Sequence, residues 1–210
     1  MKIVTISDTH NKHREVEVPD GDVLVVAGDF TGTGTNFQIE SFNDWLYEQP
    51  HEYKLVVAGN HDLGFEDDPY HARTYLDHCV YLQDSSIVIN GIKFYGSPWQ
   101  PEFCDWAFNL PRGEKLKDRW DRIPHNTDVL ITHGPPHGIL DSNIAPDDPR
   151  NNFGCEDLKH RVAEVKPTYH IFGHIHGSYG QLESDGTTYV NTCICDEEYN
   201  PTNKPHVLKI

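Results

Sequence analysis

In YKLVVAGNHD, residues 53–62, an unbroken apolar run stops at Gly59 and is followed at once by Asn60, His61 and Asp62. A continuous run rich in Val, with no polar alternation, reads as a strand covered on both faces. The same design recurs along the chain. KIVTISDTH (2–10) carries Asp8 and His10 after its run, and DVLVVAGDF (22–30) carries Asp29 after Gly28. DVLITHGPP (128–136) ends in His133 and Gly134, and YHIFGHIHG (169–177) ends in Gly173, His174 and His176.

Helical patterns fall between these runs. TNFQIESFNDWLYEQ (35–49) spaces Phe37, Ile39, Phe42, Trp45 and Leu46 at roughly helical intervals. YHARTYLDHC (70–79) and CEDLKHRVAEV (155–165) carry weaker versions of the pattern. The alternation predicts an α/β fold with sheet layers flanked by helices. Asn90-Gly91, inside SIVINGIKFYGSP (86–98), predicts a type I′ hairpin. GTTYVNTCICD (186–196) and HVLKI (206–210) read as closing strands, so the sheets are expected to be mixed near their ends. Two long loops, 97–113 and 133–154, are rich in Pro, Gly, Asn and aromatic residues, and long ordered loops in a compact domain are often functional.

The 210 residues suit one domain, 1–210, with a substantial core. The formal net charge of −16 argues against a nucleic-acid polymer or an anionic membrane as partner, since both select basic patches. No secretory leader pattern and no run approaching the ~18 apolar residues of a span is seen, and a cytoplasmic location is expected. The five cysteines form no C-x-x-C pair and read as reduced thiols, although Cys193 and Cys195 are spaced so that they could be ligands. Nothing in the sequence fixes an oligomeric state.

Ligands of open α/β sheets collect beyond the carboxyl ends of the strands. Here those ends carry Asp8, His10, Asp29, Asn60, His133, His174 and His176, with His61 beside them. One such end reads as a capped turn; five in a single chain point to a shared site. Imidazole and carboxylate without thiolate suit two divalent ions, with manganese expected and iron, zinc or magnesium as alternatives. Two ions ~3.5–4 Å apart can clamp a phosphoryl group for in-line displacement.

Asp8-x-His10, Gly28-Asp29, Gly59-Asn60-His61-Asp62, His133-Gly134 and Gly173-His174-x-His176 resemble, in the same order, the motifs of the calcineurin-like metallophosphoesterases. GSPWQPEF (96–103), FNLPRG (108–113), THGPP (132–136) and NPTNKP (200–205) further resemble its small metallophosphoesterase-domain-containing branch, known from animal brain and from microbes. The resemblance implies a four-layer αββα sandwich of two mixed β-sheets flanked by helices. It implies that Asp8, His10 and His176 hold one metal, that Asn60, His133 and His174 hold the other, and that Asp29 bridges them. It implies a phosphodiesterase for small nucleotide-type or cyclic nucleotide substrates, in which a hydroxide between the metals attacks phosphorus. His61 would protonate the leaving group, with Asp62 orienting it from behind; the lesser alternative for Asp62 is a surface carboxylate in a turn.

The chain departs from the family pattern at Gly32, where many members carry a second Asp. Ala58 before Gly59, where protein Ser/Thr phosphatases carry Arg, speaks against that activity. Asn60, His61 and Arg112 are the expected substrate contacts, Arg112 through its planar fork. Trp99, Phe103 and Trp106 either stack on a base or pack a loop core. The competing reading is a low-turnover regulatory protein that binds nucleotide and metal on the same fold.

Overall fold

The computed structural model describes residues 1–143 and 152–210; the part of the expected 133–154 loop numbered 144–151 lies outside the described residues. In chain order the elements are β1 (Lys2–Ile6), β2 (Val23–Ala27), α1 (Asn36–Glu48), β3 (Tyr53–Val57), α2 (Gly64–Asp67), α3 (Pro69–Thr74) and β4 (Val80–Tyr81). There follow β5 (Ser85–Ile89), β6 (Ile92–Ser97), β7 (Gln100–Pro101), β8 (Asn109–Leu110), α4 (Glu114–Trp120) and β9 (Val129–Thr132). The chain ends with α5 (Glu156–Val165), β10 (Tyr169–Phe172), β11 (Gly180–Ser184), β12 (Thr187–Asn191) and β13 (His206–Lys209).

Two mixed sheets form the centre. The first runs β13-β1-β2-β3-β4, parallel except where β13 returns antiparallel to β1. The second runs β11-β12-β10-β9-β6-β5, parallel through its middle and antiparallel at both edges. Side chains alternate across each strand. In β2, Val23, Val25 and Ala27 enter the core between the sheets, while Leu24 and Val26 belong to the core that takes in Phe42, Trp45 and Leu46 of α1. In β9, Val129 and Ile131 face inward, and Leu130 joins the core that includes Trp120 of α4 and Leu158 and Val162 of α5. The result is the four-layer αββα sandwich. Both faces of each central strand are dry, which is why these strands are written as continuous apolar runs.

The local signals explain the boundaries. Thr35 caps α1 in a capping box with Gln38. The hairpin turn has Asn90 at φ 50° and Gly91 at φ 84°, the left-handed pair of a type I′ turn. The helix expected over 70–79 is shorter: Asp68 caps it and Pro69 opens it, but it stops at Thr74. The side chain of Asn43 accepts hydrogen bonds from the backbone N–H groups of Asp77 and His78, and these contacts hold the following chain in a non-helical course. Helix α4, absent from the sequence expectations, buries Leu116 and Trp120 within about two turns. Among the described residues no helix is long and apolar enough to cross a membrane.

Candidate metal centre

Five parallel strands, β1, β2, β3, β9 and β10, bring their carboxyl ends to one rim. Immediately beyond them the backbone turns through left-handed conformations at residues that are not glycine: Asp8 (φ 52°), His10 (φ 42°), Asp29 (φ 52°) and His174 (φ 70°). Such conformations cost roughly 1–2 kcal/mol each, least for short polar side chains. They are held by a backbone lattice. Asp8 N–H donates to the Gly28 carbonyl at 2.9 Å, and His10 N–H donates to Asp29 at 3.0 Å. The His174 N–H reaches the Asp8 carboxylate at 3.0 Å.

Two half-sites result. The ligand atoms of Asp8, His10 and His176 lie within 4.8 Å of one another, and so do those of Asp29, His133 and His174. The tautomers follow from the hydrogen bonds. His133 Nδ1 lies 2.9 Å from the Ala27 carbonyl, which can only accept, so Nε2 is the nitrogen that faces the site, with a lone pair when the ring is neutral. Nε2 stands 2.9 Å from Asn60 Oδ1 and 3.4 Å from Asp29 Oδ2. In the other half-site, His176 Nδ1 donates to the Asp196 carbonyl at 2.8 Å, and its Nε2 faces Asp8 Oδ1 at 3.4 Å and His10 Nε2 at 3.2 Å. Asp29 Oδ2 also stands 3.9 Å from His10 Nε2, between the two half-sites, while Oδ1 accepts the His61 N–H at 2.8 Å. Acceptors converging on one space repel unless a proton or a metal cation stands among them. Nitrogen and oxygen donors without sulfur fit hard or borderline divalent ions.

The charges carry the same message. Burial works to raise the carboxyls of Asp8 and Asp29, yet the surrounding imidazoles outweigh it: Asp29 is held at about 2, by His133 first, and Asp8 lies further below the usual range, chiefly through His176. Burial opposes protonation of His133 and His176, but the Asp29 and Asp8 carboxylates overcome it and lift them to about 9 and about 8. His10 and His174 are pushed down to about 4 and about 3, mainly by burial.

Glycines stand where the backbone must pass a carboxylate. A Cβ at Gly173 would fall 2.0 Å from Asp8 Oδ2, and one at Gly59 would fall 2.2 Å from Asp29 Oδ1. The bend between the last two imidazoles comes from His174 itself, which takes the positive φ.

His61 lies at the edge of the centre. Its ring is held by the Gly32 carbonyl, 2.9 Å from Nδ1, stacks on Trp106 at 4.1 Å and meets His10 edge-on at 4.6 Å. The expected contact from Asp62 is replaced. The buried Asp62 carboxylate accepts from the backbone N–H groups of Asp29 (2.9 Å), Thr31 (3.0 Å) and Gly59 (2.7 Å) and from the Thr31 hydroxyl (2.7 Å). It clamps the loops that carry Asp29 and Asn60, and burial with the nearby Asp29 charge pushes it up to about 7. Gly32, the departure from the family pattern, thus acts through its backbone.

The centre opens into a cleft of about 360 Å³, lined among others by Asp29, Asn60, His61, His174 and His176. Arg112 lines it too, but its guanidinium is committed to Glu156 (2.5 Å) and to the carbonyls of Gly154 (2.7 Å) and Phe153 (3.0 Å). Trp99 is buried, with its N–H on Asp84, and belongs to the loop core; Phe103 faces the cleft. Sequence reasoning missed three neighbours. Ser7 Oγ and Cys193 Sγ, the latter at 3.1 Å, both donate to Asp8 Oδ2, and Tyr199 lies over His10 and His176. Among the described residues no cysteine joins either half-site.

Comparison with known proteins gives the family. Metallophosphoesterase domain-containing protein 1 of Homo sapiens is 42% identical over 233 residues, spanning all of this chain and 71% of that protein. UPF0046 protein K07C11.7 of Caenorhabditis elegans is 40% identical, over all of this chain and 75% of that protein. In fold, the chain is similar to the crystal structure of a phosphopantetheinyl hydrolase from Mycobacterium tuberculosis, with a TM-score of 0.62 and 16% identity, covering 94% of this chain and 90% of that one. The family model described as calcineurin-like phosphoesterase matches residues 1–178, and the chain belongs to that family.

Proposed function

We propose that the chain, as one domain over 1–210, is a two-metal phosphodiesterase for small nucleotide-type esters. The observation that carries this reading is the position of Asp29 Oδ2 between the imidazoles of His133 and His10, with both half-sites open to a cleft that His61 also lines. Asp8, His10 and His176 would hold one ion, Asn60, His133 and His174 the other, and Asp29 would serve both; manganese suits this set, and iron, zinc or magnesium are compatible with it. When bound, such a pair supplies Lewis-acid polarisation of the phosphoryl oxygens and a hydroxide nucleophile at neutral pH.

The chain's own residues supply the rest. Nδ1 of His61 donates to the Gly32 carbonyl, so Nε2 is the nitrogen that exchanges a proton. From Nε2 the protonated ring donates to the departing ester oxygen. Trp106 behind the ring and the Gly32 carbonyl at its edge fix its orientation, and Asp62 keeps the Asp29 and Asn60 loops in register. Arg112 acts as a wall residue, since its fork already holds the 153–156 segment.

The test is release of nitrophenol from bis(p-nitrophenyl) phosphate by the protein loaded with Mn²⁺, against the same protein after chelation. Metal-dependent turnover is expected. Tight binding of a mononucleotide with no turnover of any ester would instead establish the regulatory binding protein.

A further inference from the structure

One aromatic ring attends each half-site of the metal centre. Phe103 stands edge-on to His174 at 6.3 Å. Tyr199 stands edge-on to His10 at 4.7 Å and to His176 at 5.2 Å. Both rings line the same cleft, and both remain open to solvent, Phe103 at 51% and Tyr199 at 44%. These two present a face to whatever fills the cleft.

Tyr199 is also held there at a cost. It takes a left-handed backbone conformation, φ 62°, unusual for a bulky residue. The turn is fixed from three sides. Asp196 Oδ1 accepts from the N–H groups of Glu198 (3.0 Å) and Asn200 (2.8 Å), and the Lys12 ammonium donates to the Tyr199 carbonyl. The Asp196 carbonyl accepts both the Tyr199 N–H at 2.9 Å and His176 Nδ1 at 2.8 Å. The acceptor that orients a candidate metal ligand therefore also sets the height of the aromatic ring above it. Residues 196–200 lie beyond the stretch matched by the family model, which ends at 178.

The charge of the cleft narrows what can sit against these rings. Glu102 and Glu197 both line it. Arg112, the Lys or Arg among its described lining residues, is already paired with Glu156. Among the described residues, away from the candidate metal ligands, the cleft offers carboxylates and aromatic faces and no free cation to neutralise a second anion.

We propose that Phe103 and Tyr199 form a subsite for a planar, non-anionic substituent of the phosphoester, with Tyr199 its specificity-determining residue. This rests on the phosphodiesterase reading for its biological meaning, but its test is equilibrium binding and does not need turnover. With Mn²⁺-loaded protein, calorimetry compares adenosine 5′-monophosphate with ribose 5-phosphate, which share a phosphate and differ by the base. A stacked base is worth roughly 1–3 kcal/mol, so the nucleotide is expected to bind about tenfold more tightly or better. Tyr199→Leu should bring that ratio close to one, Phe103→Leu should reduce it, and Tyr199→Phe should retain it. A merely structural role for Tyr199 would weaken both ligands alike and leave the ratio unchanged, which overturns the proposal. A wild-type ratio near one overturns it without any variant.

The charge arm uses uridine and orotidine 5′-monophosphates, which differ by a carboxylate on the base. The orotidine nucleotide is expected to bind about fivefold more weakly, as for a like charge a few ångströms away in water, and Glu197→Gln should narrow the gap. Equal affinities in the wild type would overturn the exclusion of anions. Absence of turnover with every ester, alongside an intact base ratio, would sink the hydrolase reading and leave the subsite standing.

Discussion

His133 turns its Nε2 onto the side-chain oxygen of Asn60 at 2.9 Å, although Nδ1 of the same ring already donates to the Ala27 carbonyl. A neutral imidazole in that position has only a lone pair to offer another acceptor. A proton on Nε2 or a metal cation between the two atoms reconciles them, and the same holds for His176 against Asp8. Removing one ligand from one half-site should therefore lose one ion and spare the other. Elemental analysis at saturating Mn²⁺ should give about two ions per chain in the wild type, and about one in either His174→Ala or His176→Ala. Asp29→Ala, which touches both half-sites, should hold fewer than one. Equal loss in all three variants would mean that the half-sites are not separable.

His61 predicts a dependence on the leaving group. A positioned general acid contributes about 10²–10⁴-fold where the departing oxygen is basic. His61→Ala should lower kcat by that order on an alkyl or nucleoside ester and far less on a nitrophenyl ester, whose leaving group departs without a proton. The ratio of the two rates, in one variant and at one metal loading, separates acid catalysis from loss of the site.

The strands and the ligand set were legible because they obey local rules. Leu55, Val56 and Val57 are dry on both faces, and that burial leaves no alternative to an apolar run. Asp8, His10, Asn60 and the later histidines are a short list of residue types at strand ends, which is all a metal centre needs. What stayed hidden depends on distance in the chain. Asp62 sits beside His61 in sequence, so the reading paired them, but folding placed its carboxylate against the N–H groups of Asp29, Thr31 and Gly59. Tyr199 carries no local mark of its neighbours His10 and His176, and its positive φ is a property of the folded turn. β11, an exposed edge strand of sequence GQLES, lacks the covered faces that make a strand readable.

The position of Asp62 gives a prediction opposite to that of an orienting residue. Its buried carboxylate satisfies three backbone N–H groups and one hydroxyl. Asp62→Ala leaves those donors without partners and should cost roughly 3–5 kcal/mol in urea unfolding. Asp62→Asn keeps one acceptor oxygen and should cost less. Full stability combined with a fallen kcat would restore the direct role on His61.

Gly173 tests how closely the chain passes its own ligand. A Cβ there would lie 2.0 Å from Asp8 Oδ2 and 2.1 Å from Ser7 Oγ, both buried. Asp8 cannot retreat, because Cys193 lies behind the same oxygen at 3.1 Å. Gly173→Ala should displace the carboxylate and weaken the first ion by at least tenfold in a metal titration. Gly32→Ala meets only the flexible end of Asn11, at 2.8 Å, and should bind metal nearly as the wild type does.

His170, outside the metal centre, sets an acid limit on stability. The Thr132 hydroxyl donates to the Gly134 carbonyl at 2.7 Å, so it accepts from His170 Nε2–H at 2.8 Å. Nδ1 is then the basic nitrogen, and it is buried without a partner, so a proton arriving there finds no acceptor. Burial accordingly lowers His170 from 6.5 to about 3. The unfolded chain takes up this proton near pH 6.5 and the folded chain does not, so stability is fully present above pH 6.5 and falls as the pH drops toward 3. The slope from this one group approaches about 1.4 kcal/mol per pH unit. His170→Gln can still donate to Thr132 but carries no titrating nitrogen. Urea unfolding between pH 6 and pH 4 should show a shallower loss in that variant, by nearly one proton, even if it is less stable at pH 7. Parallel profiles for the two proteins would mean that His170 takes up its proton inside the fold.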